Sequence, residues 1–275
     1  MKRATLFSAI AIAAAMSAPV AMAQETPVLD RASFQLKLAI PDTQTDVRAD
    51  GTTGSGTEVD FENDLGIDND SNVATIGGTF RPWDNHEFSL TYYTLDNDAT
   101  RRISRNISFD GQNYTTNSTI KTEYSLDTFD MSYTWWGMNE DSWALGPRVG
   151  LVWYSLDLGL SATLDANGVP VAGGVGRAEI SADVPAPTIG GGWRWRPADH
   201  WRVKVDGGYF QANISDFDGA VTYVSAGVEW IPWENWGFTG TYTRSNIDIT
   251  GTDTDFSGDL DFTQANFSLG VIYRF

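Results

Sequence analysis

Trp193-Arg-Trp-Arg-Pro-Ala-Asp-His-Trp-Arg-Val-Lys-Val205 decides the fold. Its centre, Pro197-Ala-Asp-His200, is turn chemistry: proline presets φ, and Asp tolerates a tight bend. Beyond the turn the residues alternate with period two, as in a strand with two unlike faces. Trp201, Val203, Val205 and, further on, Tyr209 share one face, while Arg202, Lys204 and Asp206 share the other. Three tryptophans crowd the turn. Indole joins a large apolar body to one N–H donor and therefore settles where oil meets water.

The arrangement recurs along the chain. Trp83 sits in the turn 81–86, Trp135, Trp136 and Trp143 flank 137–142, and Trp230, Trp233 and Trp236 surround 231–235. Ten of the eleven tryptophans lie at four such turns, and Trp153 lies elsewhere. A soluble β-protein buries Trp wherever its core needs volume, and nothing would tie Trp to turns. Four turns on one side of a bilayer would instead form one aromatic girdle of a transmembrane β-barrel. Its members are Trp83, Trp135, Trp143, Trp193, Trp195, Trp201, Trp230, Trp233 and Trp236.

Alternation and turn chemistry divide the chain into ten candidate strands: 33–42, 73–81, 86–95, 121–136, 142–158, 183–196, 201–213, 220–230, 236–248 and 261–275. Four short turns and two termini on one side imply five hairpins. The expected fold is all-β, an antiparallel up-and-down transmembrane barrel of about ten strands. Eight strands would follow if an early hairpin stood outside the membrane, and twelve if loop hairpins also spanned it. In the fourth strand Tyr124 and Leu126 have the opposite parity to Phe129, Met131 and Tyr133, which predicts a bulge near Asp127–Thr128.

The two ends agree with a barrel. Lys2 and Arg3 precede an apolar run from Leu6 to Met16, and Ala21-Met22-Ala23 is a small-residue cleavage site. This predicts a Sec-type signal peptide over 1–23, cleaved after Ala23, and a single barrel domain over 24–275. At the other end, Phe267, Leu269, Val271, Tyr273 and Phe275 share one face, and Ser268, Gly270, Ile272 and Arg274 the other. This strand resembles the terminal strand of Gram-negative outer-membrane proteins. The resemblance implies recognition by the barrel-assembly machinery, with Tyr273 and Phe275 as the assembly signal. It also implies residence in the outer membrane, among its lipids and lipopolysaccharide.

Composition sets further bounds. There is no cysteine, so disulfides and thiolate metal sites are excluded. Losing Lys2 and Arg3 with the leader would take the formal charge from −18 to −20. Such acidity argues against nucleic acid as a partner.

Parity sends Lys37, Glu87, Arg148, Arg194, Arg202, Lys204, Asp206, Glu229 and Arg274 into the lumen, because Arg or Lys on a lipid face costs ~2–4 kcal/mol near midplane. Folding the seventh and eighth strands together should bring Glu229 near Arg202 and Lys204. Two readings of this interior compete: a lumen closed by ion pairs, and a narrow porin-like channel for small solutes lined by the bases. Here the inward bases outnumber the acids, which favours the channel. The alternative is a closed structural barrel whose acidic outer loops bind cations, lipopolysaccharide or an external partner.

Nine acidic residues lie between Asp42 and Asp70, opposed by Arg48. The last loop carries Asp253, Asp255, Ser257 and Asp259, spaced like the first half of a Ca²⁺ loop, but position twelve is Gln264 and not Glu. Ca²⁺ at the outer loops is therefore weighed against a solvated acidic surface. No other cofactor is implied. Catalysis is not expected, since His86 and His200 both fall in the short turns and no nucleophile or hydrolase motif accompanies them.

Overall fold

The computed structural model describes residues 26–51, 54–67, 72–165, 167–169, 177–214, 217–252 and 257–275. Residues 1–23, the expected leader, lie outside them, as do Asp68, Asp70, Asp253 and Asp255. Ten long strands form one antiparallel sheet: β1 (Ala32–Ala49), β2 (Val73–Trp83), β3 (His86–Arg102), β4 (Thr119–Trp135), β5 (Trp143–Leu164), β6 (Arg177–Ala198), β7 (Trp201–Ile214), β8 (Phe217–Trp230), β9 (Trp236–Thr252) and β10 (Ser257–Arg274). Neighbours in sequence pair in order, and β10 pairs β1 from Ser33↔Arg274 to Ala49↔Gly258, which closes the barrel. Closure removes the free edge over the height of β2, whose ladders reach Ala39 of β1 and Tyr93 of β3.

Most strands are far longer than a membrane requires. β5 and β6 each have 22 residues, against the ~9–11 that span a bilayer. The expected loops at 43–49, 96–102, 159–164 and 177–182 are continuations of β1, β3, β5 and β6. Each continuation satisfies its backbone groups by pairing, which a loose loop would leave to water.

Side-chain polarity reverses along several of the long strands. Toward the short turns the outer face is apolar and bare, as at Leu38, Ile40, Phe129, Met131, Ile189 and Leu269. On β5 this band runs from Leu145 to Trp153, about 26 Å of strand at 3.3 Å per residue. With strands tilted by ~40° the belt is ~20 Å tall, and an uncovered apolar belt of that height suits lipid and not water. Further along, the outer face becomes polar (Asp42, Asp96, Asp127, Asp157) and the inner face apolar (Leu126, Leu156, Leu158, Leu160, Ile247, Ile249).

This reversal replaces the bulge expected near Asp127–Thr128. β4 pairs β3 without a break from His86↔Trp135 to Arg102↔Thr119. Tyr124 and Leu126 are buried in the lumen, while Phe129 and Met131 are bare on the outside. Parity never slips. What changes is the medium outside, from lipid to water, so the favoured face for apolar residues switches with it.

The long-loop end is capped. The segment with Val59–Asp60 pairs β1, and Phe61 and Leu65 are completely buried. A small hairpin, Ile107–Phe109 with Gln112–Tyr114, lies over the opening. Its turn, Asp110-Gly111, has φ of 45° and 70°, the conformation that this dipeptide favours in two-residue hairpins. Phe109 packs on Phe61 at 6.3 Å between centroids, and the Tyr114 hydroxyl donates to the Leu160 carbonyl at 3.0 Å. The two loops touch so closely that a Cβ on Gly51 would lie 2.5 Å from Gly111 Cα. Arg105 ties them together through Asp64 and the Glu58 carbonyl.

Candidate functional site: the closed lumen

The inward bases are spaced along β1, β5, β6, β7 and β10, and those on β5, β6, β7 and β10 each meet an acid. Arg202 stands opposite Glu229 in the β7–β8 register, and its Nη2 lies 2.5 Å from Glu229 Oε2. Lys204 reaches Glu229 Oε1 at 2.5 Å. Arg194 donates to Asp206 at 2.9 Å, lies 4.0 Å from Glu87, and stacks over Trp136 at 5.0 Å. Arg148 lies between Asp130 at 3.3 Å and Asp206 at 3.6 Å. Lys37 lines the same cavity, of about 220 Å³, with Glu87, Asp130, Arg148, Lys204 and Asp206.

Two acids missed in the sequence add to this set. Asp130 follows from β4 parity once Phe129 and Met131 are placed outside. Asp30 precedes the first strand, where no periodicity marks it. Residues 26–30 turn into the short-turn end of the barrel, with Val28 and Leu29 buried against Trp136 and Ala144. Asp30 Oδ2 takes Arg202 at 2.5 Å and Oδ1 takes Arg274 at 2.6 Å. The expected excess of positive charge is therefore reduced by an acid that the wall itself does not carry. Trp136, read with the turn tryptophans, is wholly buried, because it faces the lumen as the floor under this segment.

The nine girdle positions lie at the short-turn end. Trp83, Trp135, Trp195, Trp201, Trp230, Trp233 and Trp236 are exposed, and Trp143 and Trp193 half-buried. Trp201, Trp230 and Phe238 stack across three strands at 6.2 and 5.8 Å. Tyr273 contacts Trp236 and Phe275, each at 4.7 Å, at the exposed end of β10. At the other rim, Trp153 donates to Asp183 at 3.4 Å and Tyr92 to Asp127 at 2.8 Å. His86 opens β3 beside a short turn, and His200 lies within one. His86 Nδ1 is 2.6 Å from the Tyr133 hydroxyl and His200 Nδ1 is 2.8 Å from the Ile231 carbonyl.

Above the apolar belt the register aligns Asp60, Asp46, Asp261 and Asp248 side by side across four strand segments. A hydrogen bond shared with Asp248, followed by burial, pushes Asp261 up to about 6. A carboxyl raised in the folded state favours folding below its ordinary pKa near 4, and that contribution is lost as pH rises to 6. Asp261→Asn should accordingly raise the melting temperature at pH 7.5 and lose its advantage near pH 4, as thermal unfolding would show. Asp259, from the expected Ca²⁺ set, pairs with Arg48 at 2.5 Å and accepts from Thr250 at 2.9 Å, while Ser257 pairs Thr252 in the β9–β10 ladder. Among the described residues no three acids or histidines converge as a metal cage.

No family model and no curated protein matches the chain. Solved structures do. The outer-membrane protease OmpT of Escherichia coli aligns over 92% of this chain and 98% of its own, with TM-score 0.55 and 12% identity. The translocator domain of the autotransporter NalP from Neisseria meningitidis covers 89% of both chains with TM-score 0.48 and 11% identity. A Pseudomonas aeruginosa FadL homologue covers 90% and 91% with TM-score 0.38 and 9% identity. At such identities the likeness speaks for the fold and not for an activity. With its closed ten-strand sheet and bare apolar belt, the chain folds as an outer-membrane β-barrel of the Gram-negative type.

Proposed function

We propose that this protein is a closed, non-catalytic barrel of the outer membrane that works through its extracellular face and not as a passage. One observation carries the reading: the outer half of the lumen is filled by apolar side chains, with Phe61, Phe109 and Leu160 fully buried. A dry, packed plug offers no path for water or ions. Short turns belong on the periplasmic side, which puts the capped end outside.

There, Asp42, Asp96, Asp127 and Asp157 stand just above the lipid belt, at the level of lipopolysaccharide phosphates. Divalent cations such as Ca²⁺ are the proposed bridge between the two anionic surfaces. Tyr273, half-buried, and the exposed Phe275 at the end of β10 are the proposed contact for the assembly machinery during biogenesis.

Proteoliposome swelling tests the closed state. Vesicles holding the folded protein should swell in small sugars and amino acids no faster than protein-free vesicles. Faster swelling would favour the second reading, a narrow channel, for which the charged cavity around Lys37, Arg148 and Lys204 speaks. That reading requires both the cap and residues 26–30 to move aside.

A further inference from the structure

Residues 27–30 are held in a way that a barrel wall does not normally hold its own chain. Four consecutive carbonyls each accept from an arginine side chain and not from a neighbouring strand. Arg202 Nη1 donates to Pro27 O at 3.3 Å and Val28 O at 3.2 Å. Arg81 Nη2 donates to Leu29 O at 3.1 Å and its Nε to Asp30 O at 3.0 Å. The apolar side chains of Val28 and Leu29 fill a niche with Trp136 and Ala144. The carboxylate of Asp30 bridges Arg202 and Arg274. Backbone carbonyls, two apolar side chains and one acid are each recognised separately, as in a peptide-binding cleft.

The electrostatics point the same way. Arg202 and Lys204 already share Glu229, so Arg202 and Arg274 draw a second carboxylate from outside the wall. Buried guanidinium groups left without an anion are strongly unfavourable. The wall is thus built to receive an acid, and an N-terminal segment that belongs to no strand supplies it.

We propose that the short-turn mouth of the barrel is a receptor for an extended peptide bearing two apolar residues followed by a carboxylate, occupied in this structure in cis by the chain's own Val28-Leu29-Asp30. A periplasmic peptide of that chemistry would compete with the tethered segment. The periplasmic source rests on the orientation proposed above; the cleft itself does not, and its test in detergent micelles is independent of orientation and of conduction.

The chain lacks cysteine, so Val28→Cys introduces a single, buried thiol. Its labelling by a bulky maleimide reports release of the segment. The hexapeptide Thr-Pro-Val-Leu-Asp-Arg should accelerate labelling saturably, at millimolar concentration because the tethered segment competes at about that effective concentration. The same peptide with Asn for Asp should be weaker by roughly tenfold or more, since the charge lost is the one that meets both Arg202 and Arg274. Asp30→Asn in the Val28→Cys protein should raise basal labelling about tenfold and lower the peptide concentration required. Heat-modifiable migration of the barrel in electrophoresis would confirm that each variant is folded. Equal effects of the Asp and Asn peptides, no effect of either, or unchanged basal labelling in Asp30→Asn would each overturn the proposal.

Discussion

Replacing Glu229 by alanine should destabilise the barrel by about 3–5 kcal/mol, measured by urea unfolding in lipid vesicles. Glu229 is wholly buried and is shared by Arg202 Nε at 2.6 Å and Lys204 Nζ at 2.5 Å. Its removal leaves Arg202 with Asp30 alone and strips Lys204 of its anion. The pair itself adds little net stability, because bringing these charges out of water costs nearly what their attraction returns. The loss arises from breaking it on one side. Glu229→Gln should fall between the two, since it keeps the volume and one acceptor but not the charge. Asp127→Asn, half-buried on the outer wall, should cost no more than about 1 kcal/mol, since Asn keeps an acceptor for the Tyr92 hydroxyl.

Leu160→Asp should be comparably severe, above about 4 kcal/mol, for a different reason. Leu160 is fully buried in the outer lumen, where its neighbours are apolar, and its carbonyl receives the Tyr114 hydroxyl of the capping hairpin. A carboxylate there has neither water nor a cation. The site must either protonate it or open, and opening releases the hairpin. Protease cleavage at Arg101, Arg102 or Arg105 should therefore accelerate together with the loss of unfolding free energy. A water-filled outer lumen would accept the same substitution almost without cost. Leu151→Arg, on the lipid face of the same strand, should cost ~2–4 kcal/mol and leave the cap protected.

The membrane half of the fold is legible from the chain because two signals coincide there. Period-two alternation marks each spanning stretch, and the turn tryptophans mark its end, so strand pairings such as Arg202↔Glu229 follow from counting. The outer half is harder. Alternation persists, but its sense reverses when lipid gives way to water, and at Tyr124 and Leu126 that reversal imitates a bulge. The periodic signal fixes which residues share a face but not which medium the face meets. The reversal becomes readable only when several strands switch at the same height, as β1, β3, β4, β5, β9 and β10 do. Asp30 lies beyond such reading altogether. It belongs to no periodic segment, and its partners Arg202 and Arg274 come together only when the barrel closes.

The lumen also shows why a list of inward bases overstates a pore. Arg148, Arg194, Arg202, Lys204 and Arg274 are inside, yet each is met by Asp30, Asp130, Asp206 or Glu229 within 3.6 Å. Charges that must enter a low-dielectric interior arrive in pairs. What remains between them is a polar chamber, bounded on one side by the N-terminal segment and on the other by an apolar core.

That core is the central claim: the same ten strands form a lipid-facing barrel below and a dry-cored, water-facing barrel above. Spin labels at single cysteines replacing Leu126, Asp127 and Phe129 test it most directly. The account predicts that a label at 129 collides with oxygen, which concentrates in lipid, and a label at 127 with a water-soluble nickel chelate. A label at 126 should meet neither, sealed in the lumen. Strong oxygen contact at 126 would place Leu126 on the lipid face and restore the bulge, and strong nickel contact there would make the outer lumen wet; either result would contradict the closed barrel.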